Sequence, residues 1–136
     1  MASATGTAET AVIDTDVASM LIRGNLPAAA ATTLADFGLC TTFVTVGELF
    51  RGAVHAQWGT RRVAALTEWL GRIDALPADG DVAQRWGQIT GGSLRAGRPL
   101  PANDAWVAAC CLSRGLPLAT LNRRDYERID GLDLLL

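Results

Sequence analysis

The chain has 136 residues, of which 49% are hydrophobic and 19% charged, as expected for one globular domain rather than a disordered chain. All 12 basic residues are arginines, which excludes lysine Schiff-base chemistry and a lysine-containing phosphate loop. The single histidine, His55, and three cysteines without CxxC spacing argue against structural zinc, and a net charge of −2 gives no general attraction for nucleic acid.

The sequence carries no segment typical of export or of a membrane anchor. Residues 1–10 are small and polar and predict a flexible N-terminal leader, which leaves residues 11–136 as a single domain. No apolar run approaches the roughly 20 residues that cross a bilayer. An odd number of cysteines in a chain rich in core residues is typical of reduced thiols, so we expect a cytoplasmic protein without membrane contact.

Strands and helices are predicted to alternate along the chain. The first strand is a short apolar run at 11–13, and Gly24 ends the helix that follows it at 17–24. The next predicted elements are a helix from Pro27 to 37, a strand at 39–44, a helix at 46–56 capped by Thr45, a helix at 60–73 and a helix from Asp79 or Asp81 to the glycines at 91–92. The last are a helix from 103 to Gly115, a strand at 116–120, a helical turn at 126–129 and a strand at 132–136. This alternation predicts an α/β fold with a mainly parallel central sheet.

Acidic residues recur directly after the predicted strands or at the start of a helix. Asp14 follows the first strand, Glu48 lies early in the helix after the second, Asp104 opens a very apolar helix, and Asp125 follows the third strand. Because parallel strands end at one edge of a sheet, these carboxylates are expected to share a cleft and to repel one another. A divalent cation removes that repulsion, and oxygen ligands without histidine or cysteine favour Mg²⁺ or Mn²⁺.

Each acid also has a purely structural explanation. An aspartate at a helix start caps the helix and complements its dipole, which applies to Asp14, Asp16 and Asp104, and Glu48 can act on the dipole in the same way. Asp125 lies in a polar stretch that is compatible with plain surface. A shared metal site therefore depends on the tertiary structure bringing these residues together.

Four short strings of the sequence resemble the conserved motifs of one known family. They are AVIDTDV at 11–17, TVGELFRG at 45–52, NDAWVAA at 103–109 and ATLNRRDY at 119–126. In this order and at this spacing they resemble PIN-domain ribonucleases, in particular the VapC toxins of bacterial type II toxin–antitoxin pairs. The resemblance covers residues 11–136, which is nearly the whole chain.

The resemblance implies a three-layer α/β/α PIN-like fold and Mg²⁺- or Mn²⁺-dependent cleavage of RNA. It places Asp14, Glu48 and Asp104 at the first three acidic positions of the family, which are both catalytic and metal-binding. Asp125 is the predicted fourth acid, because Asn122 is an amide at a position where the family shows Asp or Asn. The choice between these two residues stays open at this stage.

Further residues near the acids are weaker candidates. Asp16 and Thr120 are additional candidates for the metal shell, together with Asn122. Because arginine suits bidentate phosphate contacts, three arginines are candidates for binding RNA, although paired arginines are commonly just solvated surface. These are Arg51, Arg123 and Arg124.

The resemblance also implies partners: a cognate VapB-type antitoxin, an RNA substrate and a second copy of the chain in a homodimer. Two other functions remain compatible with the same residues. The acids would equally serve a metal-dependent DNA nuclease or phosphatase. A degenerate PIN module that only binds is the other alternative, and it would be favoured by the loss of two or more acids.

Overall fold

The computed structural model describes residues 9–136, which form five strands and six α-helices. The strands are β1 (Thr10–Ile13), β2 (Gly38–Thr42), β3 (Asp74–Leu76), β4 (Leu118–Ala119) and β5 (Leu134–Leu135). The helices are α1 (Thr15–Arg23), α2 (Ala28–Leu34), α3 (Phe43–His55), α4 (Thr60–Leu70), α5 (Gly80–Arg95) and α6 (Ala102–Arg114). A 3-10 helix, Arg123–Asp125, follows β4.

The five strands make one sheet in the order β3-β2-β1-β4-β5, and every neighbouring pair is parallel. The chain builds outward from β1 through β2 to β3, then returns through α5 and α6 to place β4 on the other side of β1. The connection therefore changes direction between β1 and β4. In open α/β sheets this is the position at which the crevice beyond the strand ends binds ligands.

Helices cover both faces of the sheet, which makes the fold three-layered. Alternate residues of β1 point to opposite faces, so Val12 joins a core cluster with Val107 of α6, and Ile13 joins another with Val17 of α1 and Leu34 of α2. The central strand is buried on both sides, as parallel sheets require. The predicted α/β/α fold with a parallel sheet is thus confirmed.

The structure corrects several predicted boundaries. Thr10 already belongs to β1, one residue inside the predicted leader, and residues 1–8 lie outside the described residues. The helix predicted to stop at the glycines at 91–92 continues to Arg95, because α5 packs along α6 and tertiary contact outweighs the low helix propensity of glycine. The strand β3 was not predicted, and no apolar run marks it because two of its three residues, Asp74 and Ala75, are exposed.

The junction between β2 and α3 also differs from the prediction. The expected strand extended to 44, but Phe43 and Val44 already form the first turn of α3. The capping residue is Thr42, whose hydroxyl accepts a hydrogen bond from the backbone N–H of Thr45, so Thr45 is not the cap. This brings Glu48 to the second turn of α3.

The three cysteines are free and buried, as expected for core thiols. Burial raises the pKa of Cys40 and of Cys110 to about 11, so both stay protonated near neutral pH. No helix within residues 9–136 combines the length and the apolar composition needed to span a membrane.

Candidate metal-dependent active site

The predicted acids meet in one pocket of about 150 Å³ at the carboxyl-terminal edge of the sheet. The residues that line it come from the end of β1, from the segment that follows β4 and from the first two turns of α1, α3 and α6: Asp14, Thr15, Asp16, Glu48, Asn103, Asp104, Val107, Asn122, Asp125 and Tyr126. None of these lining residues is basic. The structure therefore places all four predicted acids, together with Asp16 and Asn122, around one acidic cavity, which we call the acid pocket.

Asp14 lies at the buried end of the acid pocket, with 6% of its surface exposed. Its Oδ1 accepts a hydrogen bond of 2.9 Å from the backbone N–H of Val17, so it also caps α1. Burial raises the pKa of Asp14; hydrogen bonds from Thr120 and Val17 lower it, and the charges of Asp16 and Asp104 raise it again. Asp14 therefore both caps α1 and contributes a carboxylate to the acid pocket.

Asp104 is not a helix cap, because Pro101 occupies the capping position of α6 and no side chain caps this helix. Its Oδ1 instead accepts a hydrogen bond of 3.2 Å from the hydroxyl of Tyr126. Burial is the largest cause that raises the pKa of Asp104, and the charges of Asp125, Glu48 and Asp16 raise it further. Asp104 therefore lies within electrostatic reach of the other acids of the pocket.

Glu48 is held by two hydrogen-bond donors from different helices. The hydroxyl of Thr15 donates to Oε1 at 2.6 Å, and the side-chain amide of Asn103 donates to Oε2 at 3.1 Å. Thr15 in turn lies 3.0 Å from the hydroxyl of Thr45. The carboxylate of α3 is thus tied to the starts of both α1 and α6.

The two candidates for the fourth position have different environments. The side-chain amide of Asn122 donates a hydrogen bond of 2.7 Å to Oδ2 of Asp16. Asn122 is neutral, so it orients this carboxylate without adding a charge to the pocket. Asp125 is exposed at the rim, and its charge contributes to the raised pKa of Asp104. Thr120 is fully buried, and its hydroxyl accepts a hydrogen bond from the backbone N–H of Asn122 at 3.0 Å.

The three candidate RNA-binding arginines do not line the acid pocket. Arg51, Arg123 and Arg124 are exposed, and the guanidinium of Arg123 donates to the backbone carbonyl of Leu136 at 3.1 Å. Arg51 lies on α3 one turn beyond Glu48, and the other two lie on the 3-10 helix that carries Asp125. The three arginines therefore lie close in sequence to residues of the site but do not line the acid pocket.

Three polar residues of the pocket were not predicted from the sequence: Thr15, Asn103 and Tyr126. Each is adjacent in sequence to a predicted acid, respectively Asp14, Asp104 and Asp125. That adjacency was the available signal, but a residue's neighbour along the chain does not reveal which distant carboxylate it will contact.

The donor set of the acid pocket fits a hard divalent cation. It offers only carboxylate, amide and hydroxyl oxygens, and the pKa values of Asp14 and Asp104 are raised first by burial and then by neighbouring carboxylates, a cost that a bound cation would relieve. In the described part of the chain, no three Asp, Glu, His or Cys side chains converge closely enough to ligate one ion as they stand. Glu48, Asp16 and Asp104 each accept at least one hydrogen bond from a neutral side chain that lines the pocket.

A second, larger groove of about 460 Å³ lies between α1, α3 and α4. Trp58 and Trp69 contribute aromatic surface, and Arg62 lies 4.0 Å over the ring of Trp58. Arg23 and Arg72 line it as well. We call this the arginine-rimmed groove. It shares α1 and α3 with the acid pocket, so the two depressions lie along the same helices.

Comparison with known proteins identifies the family. The family model described as PIN domain matches residues 11–132. The chain belongs to the PIN-domain family. A PIN protein of Shigella flexneri, named tRNA(fMet)-specific endonuclease VapC, is 35% identical over 123 residues, which cover 89% of this chain and 92% of that protein.

Solved structures agree with this assignment. VapBC-1 from nontypeable Haemophilus influenzae superposes with a TM-score of 0.82 at 25% identity, covering 93% of this chain and 96% of that one. VapBC-5 from Mycobacterium tuberculosis, described as a member of the VapBC family of toxin–antitoxin systems, has a TM-score of 0.68 at 30% identity, covering 93% and 97%. The predicted resemblance to VapC-type PIN nucleases is thus confirmed, and PIN-domain VapC nucleases are metal-dependent in general.

Removing one charge from the acid pocket should stabilise the protein in the absence of metal. Asp14→Asn keeps the oxygen that caps α1, and Asp104→Asn keeps the oxygen that accepts from Tyr126. A carboxyl whose pKa is raised by folding binds its proton more tightly in the folded state, so the free energy of unfolding falls as pH rises above the ordinary value of 3.8. We expect both variants to unfold at a temperature equal to or above the parent at pH 7, with the difference shrinking as the pH approaches 4.

The matched control is Asp81→Asn, which should act in the opposite direction. Hydrogen bonds from Ser113 and Arg85 lower the pKa of Asp81, so its contribution to stability is present above the ordinary pKa and is lost as the pH falls. Thermal unfolding in EDTA between pH 4 and 7 measures all three variants. A lower unfolding temperature than the parent at pH 7 for Asp14→Asn or Asp104→Asn would instead show that these carboxylates contribute to the stability of the fold.

Proposed function

We propose that the protein is the toxin of a type II toxin–antitoxin pair and a metal-dependent endoribonuclease of the VapC type. The observation that carries this proposal is the meeting of Asp14, Glu48, Asp104 and Asp125 in one pocket at the point where the sheet changes direction. The relatives named VapC support the nuclease activity. We also propose a cytoplasmic location, because an RNA-cleaving toxin would meet its substrate there.

Asp14, Glu48, Asp104 and Asp125 would hold Mg²⁺ or Mn²⁺. The bound ion supplies charge neutralisation for the phosphate and a water of lowered pKa. The residues of the chain do the rest: Asp14 anchors the site to the end of β1, and Thr15 and Asn103 fix the orientation of Glu48. Asp16 and Asn122 form a hydrogen-bonded pair in the wall of the acid pocket, so the amide of Asn122 would orient the carboxylate of Asp16.

RNA is the proposed substrate, and the exposed arginines are proposed to contact its backbone. An acidic pocket repels phosphates, so binding of a polyanion needs cationic groups outside the pocket as well as a cation within it. Arg51, Arg123 and Arg124 are exposed on the elements that carry Glu48 and Asp125. Because a relative at 35% identity is named for initiator tRNA, this RNA is the first substrate to test.

Cleavage of RNA should require a divalent cation and the acids of the pocket. With initiator tRNA and bulk RNA, we expect cleavage in Mg²⁺ or Mn²⁺, none in EDTA and none by Asp104→Asn. Asp125→Asn should lower the rate by more than about 100-fold and Asn122→Ala by about 10-fold or less, since Asn122 acts only through Asp16. Gel assays of the purified variants measure these rates.

The same assay separates the alternatives. Cleavage of single- or double-stranded DNA but not RNA would reassign the protein to the DNA nucleases, and release of phosphate from a monoester would make it a phosphatase. Inactivity towards all substrates in both metals would leave a binding module. A larger loss for Asn122→Ala than for Asp125→Asn would give the fourth position to the amide.

An antitoxin segment is the proposed occupant of the arginine-rimmed groove. The floor of the groove is apolar and aromatic, while Arg23, Arg62 and Arg72 outnumber its one acid, Glu68. This combination suits an amphipathic segment that carries acidic residues beside apolar ones. Because the groove and the acid pocket share α1 and α3, a segment lying along it can extend a cationic side chain into the acid pocket and compete with the metal.

Co-expression with the cognate antitoxin should give a complex without ribonuclease activity. We expect Trp69→Ala, which removes apolar surface from the groove, to weaken the complex, whereas Trp106→Phe, which alters an aromatic stack with Trp86 away from the groove, should not. Titration calorimetry compares the affinities. Full ribonuclease activity in the intact complex would contradict this mode of inhibition.

A homodimer is proposed from the apolar side chains that the single chain leaves exposed. Val54 on α3 is 78% exposed and Leu94 on α5 is 68% exposed, and both would be better accommodated in an interface. Light scattering should report twice the mass of the chain, and Val54→Asp together with Leu94→Asp should shift the protein to monomer. A monomeric parent protein would contradict the proposal.

A further inference from the structure

The side chain of Tyr126 connects the hydrophobic core to the acid pocket. The residue is 4% exposed, and its ring packs in the cluster that contains Val12, Val107 and Leu118. Its hydroxyl lines the acid pocket and donates to Oδ1 of Asp104 at 3.2 Å. A ring fixed on all sides by packing holds this hydroxyl at one position.

The backbone around Tyr126 is equally constrained. Its N–H donates to the carbonyl of Arg123 at 3.0 Å, and its own carbonyl accepts from the N–H of Ile129 at 3.0 Å. Asp125 is the preceding residue, so the buried ring also anchors the 3-10 helix that brings this acid to the rim. One residue therefore relates the position of Asp104 on α6 to that of Asp125 after β4.

We infer that Tyr126 is a positioning residue for the metal-dependent reaction, because its hydroxyl donates to Oδ1 of Asp104 and so fixes the orientation of a carboxylate that would hold a divalent cation. A phenylalanine would fill the same space in the core, so packing alone does not require the hydroxyl. This inference rests on the proposed function, in which Asp104 is a metal ligand. Partners of this kind orient the ligand, and their removal typically costs about 10–100-fold in metal affinity or activity.

The competing explanation is that Asp104 merely satisfies a buried hydroxyl. A buried phenol needs a hydrogen-bond partner wherever it lies, and the nearest acceptor would serve. The two explanations predict different effects of removing the hydroxyl on the affinity for the metal ion. A structural partner changes stability alone, whereas a positioning partner changes the affinity for the ion and the turnover rate.

The test compares Tyr126→Phe with Thr41→Val in the full-length protein. Thr41 is fully buried in β2, and its hydroxyl donates to the carbonyl of Ile13 at 3.1 Å, so this control also deletes one buried hydroxyl, outside the residues that line the acid pocket. Calorimetric titration with Mn²⁺ measures affinity without reference to activity. Thermal unfolding in EDTA measures the stability of each variant, and cleavage of RNA gives kcat and KM.

We expect Tyr126→Phe to bind Mn²⁺ about 10-fold more weakly than the parent and to lose a similar factor in kcat, with KM for RNA unchanged. Thr41→Val should keep the parent's Mn²⁺ affinity and kcat even where its unfolding temperature falls. If the parent binds Mn²⁺ and Tyr126→Phe binds it equally well with the same kcat, the inference is wrong while the proposed function stands. If the parent itself binds no Mn²⁺, both the proposed function and the inference fail.

Discussion

The mutual repulsion of carboxylates at one edge of the sheet is the constraint on which the rest of the site depends. Parallel strands necessarily end on the same side, so residues that follow β1, β2 and β4 meet there. The negative charges of Asp16, Glu48 and Asp125 add to the raised pKa of Asp104, and burial adds most for Asp104 and Asp14. Clusters of carboxylates with raised pKa values in a cleft are typical of functional sites, and this supports the proposed role of the acid pocket.

Hydrogen-bond donors from several helices and loops stabilise these mutually repelling carboxylates. Thr15 and Asn103 bind Glu48, Asn122 binds Asp16, and Tyr126 binds Asp104. These donors are neutral, so they orient the carboxylates without cancelling their charge, and the attraction for a cation is preserved. Arginines lie instead outside the wall of the acid pocket, at exposed positions such as Arg51 and Arg123 and along the arginine-rimmed groove. The residues that line the acid pocket thus include four aspartates and one glutamate but no arginine.

The sequence by itself determined the class of the fold and the identity of the acids. Short apolar runs such as 11–13 are typical of buried parallel strands. Asp14 and Glu48 stand out because each is a charged residue beside apolar residues that are expected to be buried. The oxygen-only composition of the acid set also follows from the sequence, since His55 and the cysteines lie elsewhere. The boundaries of strands and helices were harder to predict from the sequence, because β3 carries no apolar pattern and α5 continues through two glycines.

Only the tertiary structure decided how the acids are held and which surfaces lie beside them. The bonds from Thr15 and Asn103 to Glu48 span 33 and 55 residues, that from Tyr126 to Asp104 spans 22, and that from Asn122 to Asp16 spans 106. Local patterns report helix and strand periodicity but not contacts at such separations. The direction change between β1 and β4 brings these segments together, because it inserts β4 beside β1 after two intervening strands and six helices.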